Sequence, residues 1–326
     1  MLAPIEMRRP LPMTLHGSGV TMTTEVWSML AASEAGDLEH VARLVAHRPE
    51  LRTCKFNYTS PLHFAVREGH VTLVKELVAA GAFDPSYKSY PFGDDLLTMA
   101  RDREYEEIVG ILEDAARNPE LAKSWSETGN IDYRQDTKQA RFDRALHDSK
   151  LREVDRLLTA RPDLATNEMS SWAEGVLMMP AKKRDFRVLE LLLRRGAQVP
   201  DLSKWGRFYY FKHADVAQLL LESGMSARHQ TWQRVTLLHD MAQSGDLAKA
   251  RLLLEHGAEI DAVDDEYRST PLGFAARWGQ TAMVAWLLER GADANRAGAQ
   301  WSTPLAWARK KGHGDVERAL VAAGAA

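Results

Sequence analysis

The chain has 326 residues, 45% hydrophobic and 27% charged, with a formal net charge of -3. That composition describes a folded chain rather than a disordered one and gives no global pull toward nucleic acid or a membrane surface. Its single cysteine, Cys54, excludes an intrachain disulfide and a cysteine-rich structural metal site, and fits a reducing, cytoplasmic setting.

In chain order, residues 1–24 carry Arg8 and Arg9 among Pro4, Pro10 and Pro12, with no apolar run of secretory length behind them. They read as a disordered tail, and Met22 is an alternative start. From residue 25 a pattern recurs. Gly36-Asp37-Leu38 with Leu44-Val45 marks a first unit. Ser60-Pro61-Leu62-His63-Phe64-Ala65 opens a second, which passes Gly69-His70 and closes at Gly81-Ala82. Leu96-Leu97-Thr98-Met99-Ala100 marks a third.

Residues 114–140 break the phase. They hold no cap and no Leu-Leu pair in register, and Ser124, Trp125, Ser126, Thr128, Gly129 and Asn130 read as loop. The segment is an irregular insertion or hinge; the alternative is one lengthened connection. The pattern then resumes over 151–158, at Phe186 and at Val216, with Leu-Leu-Leu runs ending at Gly196 and Gly224. Thr236-Leu237-Leu238-His239, Thr270-Pro271-Leu272-Gly273-Phe274-Ala275 and Thr303-Pro304-Leu305-Ala306-Trp307-Ala308 follow at spacings of roughly 33 residues.

Each opening is a helix start. A Ser, Thr or Asp side chain caps free N–H groups, and proline is tolerated in the first turn. Apolar residues follow at helical spacing, and glycines such as Gly69, Gly245, Gly279 and Gly312 end the first helix of a pair. Ordering one such unit costs on the order of 50 kcal/mol in conformational entropy, so neighbours must complete its core.

The Thr-Pro-Leu-His signature at this period resembles the ankyrin-repeat family. The resemblance is specific over 59–82 and 234–326 and weaker, but in phase, over the rest of 25–326. It implies an all-α solenoid of about nine helix-turn-helix units with short extended finger loops. The implied layout is a tail at 1–24, a first block at 25–113, the insertion at 114–140 and a second block at 141–326 with a C-terminal cap. The resemblance also gives His63 and His239 a hydrogen bond between neighbouring repeats, and places His70 and His313 at a second recurrent structural position.

No phosphate-binding, metalloprotease or hydrolase motif is present. Cys54 has no base near it in sequence, and the run Asp261, Asp264, Asp265, Glu266 reads as a solvated loop rather than a cation site. No metal or cofactor is expected. What the resemblance implies is a non-catalytic scaffold that binds a protein through finger tips and the exposed ends of first helices, on the concave side. In the second block these positions read Lys182, Lys183, Tyr210, Phe211, Arg277, Trp278, Lys310 and Lys311, and the fingers add Trp172, Trp232, Tyr267 and Trp301. We take Lys182, Lys183, Tyr210, Phe211, Trp232, Tyr267, Arg277, Trp278, Lys310 and Lys311 as candidate partner contacts, because Trp, Tyr and Arg dominate binding hot spots. An acidic or mixed acidic–apolar protein is the expected partner, with no membrane role. The competing reading is that the lysines are merely solvated and the aromatics pack between fingers; within 205–211 the motif is lost and several of its aromatics belong to a core. An enzyme or accessory subunit with a site in an irregular segment, and a single-stranded nucleic-acid binder, are the alternatives. The net acidic balance argues against the last.

Overall fold

The computed structural model describes residues 1–15, 19–122, 130–133, 137–204 and 206–326. The chain divides into two compact units, Glu6–Tyr133 and Met1–Ile5 together with Arg134–Ala326. Among the described residues the first holds three helix pairs and the second six.

The first unit opens with an antiparallel hairpin, β1 (Pro12–Leu15) and β2 (Gly19–Met22). The helix pairs are α1 (Thr23–Ala35) with α2 (Leu38–His47), α3 (Pro61–Arg67) with α4 (Val71–Ala79), and α5 (Leu96–Asp102) with α6 (Glu106–Arg117). A short strand, β3 (Asn130–Ile131), pairs antiparallel with β1. The described residues of the tail expected to be disordered are structured, because Met7, Met13 and Leu15 are buried and β1 has strands on both edges. Two limits of the expected insertion also move. α6 continues to Arg117, and the next helix begins at Thr137. The expected loop residues from Ser124 to Gly129 lie outside the described residues.

The second unit contains α7 (Thr137–His147) with α8 (Leu151–Ala160), a single turn α9 (Ser170–Ala173), and α10 (Met178–Lys183) with α11 (Phe186–Arg194). Strand β4 (Leu202–Ser203) precedes α12 (Gly206–Tyr209) and α13 (Ala214–Glu222), and pairs in parallel with β5 (Gln230–Thr231). The remaining pairs are α14 (Leu237–Ser244) with α15 (Leu247–Glu255), α16 (Pro271–Arg277) with α17 (Thr281–Glu289), and α18 (Pro304–Lys311) with α19 (Gly314–Ala322). First helices stack on first helices, as in α14 on α16 on α18.

The caps sit where the sequence puts them. Ser60 accepts from the His63 N–H, Asp95 from Thr98, Thr270 from Gly273 and Thr303 from Ala306, at 2.7–3.3 Å. His239 bridges two repeats: its Nδ1 accepts from the Thr236 N–H (3.2 Å), so its Nε2 carries the proton donated to the Ser269 carbonyl (3.1 Å). His63 Nδ1 lies 2.9 Å from the Tyr87 hydroxyl.

A second joint recurs at the far end of the first helices. Gly279 ends α16 at φ +68, and the His313 ring of the next repeat lies against its Cα, with its Nε2 3.1 Å from the Arg277 carbonyl. A Cβ at Gly279 would stand 2.8 Å from that ring. Gly36 and His70 repeat the arrangement, with His70 Nε2 2.8 Å from the Glu34 carbonyl. Left-handed backbone and an occupied Cβ position act together here, so Gly279→Ala is expected to cost about 2 kcal/mol or more. Urea titration of wild type and variant checks this; a loss below about 0.5 kcal/mol would mean that the ring moves aside freely.

Candidate functional site

The candidate contacts separate into two groups. Lys182, Lys183 and Lys310 are exposed, and Lys311 and Trp278 are half-buried, all at the end of a first helix. Tyr210, Phe211, Trp232 and Tyr267, expected at the surface, are core residues with 2% exposure or less. Fully burying a large apolar side chain is worth about 2–3 kcal/mol, which favours turning these rings inward. In the 205–211 stretch Tyr209 is buried with Tyr210 and Phe211, whereas Phe208 remains 40% exposed.

Arg277 is a further correction. It is 6% exposed, with its guanidinium 4.5 Å from the Tyr267 ring centre, 4.4 Å from Trp307 and 5.1 Å from Trp278. Three ring faces supply negative quadrupole in place of water, so this arginine is a structural element of the C-terminal core. Lys310 Nζ stands 5.9 Å over Trp301 and Lys311 Nζ 5.8 Å over Trp307, on the outer side of the same cluster. Trp301 meets Trp307 edge-on at 5.7 Å, which makes it a packing residue.

Two of the four carboxylates of the acidic finger are not solvated. Asp264 and Glu266 are each 1% exposed. The Asp264 carboxylate accepts the Tyr267 and Ser269 N–H groups at 2.7 and 2.9 Å, which folds the finger that delivers Tyr267 to Arg277. Burial pushes the Asp264 carboxyl up to about 7, helped by the neighbouring Glu266 and opposed by those two backbone donors. Asp261 accepts the Asp293 N–H of the following finger. Burial also raises the Cys54 thiol far above its ordinary range, which keeps it protonated and poorly suited to act as a nucleophile.

α10 carries the more open charge. Among the described residues no carboxylate pairs with Lys182, Lys183 or Lys212, whereas the adjacent Arg184 donates to Asp215 at 2.6 Å. Lys182 Nζ lies 5.9 Å over the Tyr209 ring and Lys183 donates to the His147 carbonyl. Just before α10, the finger holding Trp172 has three successive left-handed residues, Ser171 (φ 53), Trp172 (φ 59) and Ala173 (φ 61). Each costs about 1–2 kcal/mol in a non-glycine residue. Trp172 is 58% exposed, the most exposed aromatic among the described residues of the second unit. Its place in a finger is visible in the sequence, but nothing there separates it from Trp232, which turns inward.

A family model described as ankyrin repeats (3 copies) matches residues 28–123 and 207–298, more than half of the chain. The chain belongs to the ankyrin-repeat family. Over 96 residues it is 35% identical to palmitoyltransferase Hip14 of Drosophila melanogaster, covering 29% of this chain and 15% of that protein. Over 228 residues it is 24% identical to the human transient receptor potential cation channel subfamily A member 1, covering 66% of this chain and 19% of that protein. The chain thus spans a small part of these curated relatives. An ankyrin repeat domain from Acinetobacter baumannii AYE aligns with a TM-score of 0.47 and 22% identity, over 58% of this chain and 100% of that one. Ankyrin repeats are in general protein-interaction modules. Among the described residues no helix is long and apolar enough to cross a membrane.

Proposed function

We propose that this chain is a non-catalytic scaffold whose second unit binds an acidic or mixed acidic–apolar protein along the exposed ends of its first helices. The observation that carries the reading is the set of exposed cations at the ends of α10 and α18, with half-buried Trp278 on the intervening α16. Lys182, Lys183, Lys310 and Lys311 meet the partner's carboxylates, and the stacked repeats hold them in fixed positions. Arg277, Tyr267, Trp232, Tyr210 and Phe211 act beneath this surface as its support. Palmitoyl transfer and channel activity stay with the relatives that bear those names. The single buried thiol is in keeping with a reducing, cytoplasmic setting.

Electrostatic steering makes the on-rate the sensitive quantity. Reversing Lys182, Lys183, Lys310 and Lys311 to glutamate is expected to slow association with a partner captured by the wild-type chain by about tenfold or more at low salt, with little change in thermal stability. Unchanged association kinetics in the fourfold variant would remove these lysines from the interface.

A further inference from the structure

We propose that the Trp172 finger is the apolar anchor point of this surface, and that its occupant is an acidic segment of a protein partner carrying one exposed aliphatic or aromatic side chain. The inference rests on the scaffold reading above and deepens it by assigning a centre and a ligand chemistry.

Three observations meet at this finger. Trp172 is 58% exposed, although the fold buries Trp232 and Trp307 almost completely. The finger is fastened from several directions. Lys204 Nζ donates to the Trp172 carbonyl at 2.6 Å, the Lys204 N–H donates to the Glu174 carboxylate at 3.0 Å, and the buried Tyr210 hydroxyl donates to the Glu174 carbonyl. A side chain that projects from a pinned, left-handed backbone loses little freedom on binding, which suits an anchor. Lys204 also precedes α12, where Phe208 is a further exposed aromatic and Tyr209 lies under Lys182.

The exposed charge of the segments that carry these rings is mixed with cations in excess, Lys182, Lys183 and Lys212 against Glu168 and Asp201. Lys182, Lys183 and Lys212 have no carboxylate partner among the described residues, Asp215 is engaged by Arg184, and Glu174 is buried with its carboxylate accepting the Lys204 backbone N–H. An exposed apolar ring on a surface with an excess of ammonium groups is complementary to a peptide that alternates carboxylates with an apolar side chain. The contrast with α18 gives direction. There Trp301 and Trp307 pack against each other and the lysines lie over their rings, so that end offers charge but no free aromatic face comparable to Trp172.

The test uses the full chain and fluorescence anisotropy with short labelled peptides. One is rich in Asp and Glu with a single Leu or Phe, one has the same charge without the apolar residue, and one has the apolar residue in a neutral frame; a poly-dT oligonucleotide is the fourth probe. The acidic–apolar peptide should bind most tightly. Trp172→Ala should weaken it by about tenfold, as hot-spot removal does, and Lys182→Glu with Lys183→Glu should weaken it in a salt-dependent manner. The exposed position of Trp172 leaves the fold intact, and an unchanged melting profile checks this. Tight binding that Trp172→Ala leaves alone but Lys310→Glu with Lys311→Glu abolishes overturns this proposal while the scaffold reading stands. Preferential binding of the oligonucleotide overturns both, and so does the absence of binding by every probe combined with unchanged partner association in the fourfold lysine variant.

Discussion

Replacing Trp307 by alanine is expected to lower the stability of the C-terminal repeats by about 3–5 kcal/mol. The indole is completely buried, meets Tyr267 at 5.8 Å and Trp301 at 5.7 Å, and provides the closest of three ring faces around Arg277. Its removal leaves a cavity and withdraws part of the compensation from a desolvated guanidinium, and the two losses add. Stability in stacked repeats is local, so hydrogen exchange of the amides in α16, α17 and α18 is the appropriate measurement. Protection there should fall by two orders of magnitude or more, with a smaller change in α7 and α8. A loss below about 1 kcal/mol would show that the remaining partners of Arg277, Tyr267 and Trp278 among them, suffice to shelter it.

Acidification gives the second large effect, and two opposing signs combine in it. His229 and His239 are buried, and burial holds each imidazole down at about 4 in the folded chain, against 6.5 when exposed. The unfolded chain therefore takes up protons first as pH falls from 6.5 toward 4, and each histidine costs on the order of 3 kcal/mol of stability over that interval. For His239 the geometry agrees: a proton added at Nδ1 would face the Thr236 N–H. Asp264 works the other way. Its folded carboxyl is raised to about 7, so the stability it contributes is fully present below 3.8 and is lost as pH rises through 7. Acidification recovers on the order of 4 kcal/mol from this group. The net expectation between neutral pH and pH 4 is a loss of about 2 kcal/mol from these three groups in the wild type, and a much steeper loss in Asp264→Asn, which has no proton to take up. Urea midpoints at several pH values decide the matter, and parallel profiles for wild type and variant would rule out the assigned role of Asp264.

The repeats were legible because their signals are local. A Thr or Ser side chain reaching its own helix's N–H, and a glycine at positive φ closing that helix, depend on residues adjacent in sequence. The surface was less legible because it depends on which way a finger side chain turns. Trp172 and Trp232 are both finger tryptophans, and what separates them is the left-handed run from Ser171 to Ala173, in residues with no glycine among them. Tyr210 and Phe211 stand where other repeats end a first helix, but α12 is short and they fall in the turn that seals its base. The acidic finger misled for the opposite reason. Four carboxylates in six residues look hydrated, yet Asp264 satisfies two backbone N–H groups that no strand or helix would otherwise satisfy.

The paired joint of Gly279 with His313, and of Gly36 with His70, bears on how such a chain can be altered by insertion or recombination. Each joint is written half in one repeat and half in the next, so a repeat transplanted alone carries one mismatched half at each border. Any crossover between Gly279 and His313 separates the two halves, whether it falls inside a helix pair or between two pairs, so a recombined array keeps the joint only where both residues come from one parent. At Glu104, Ser149 and Arg184 the equivalent turn is left-handed without glycine. Across the first of these turns Tyr105 still covers Gly69, so a border there also divides a joint.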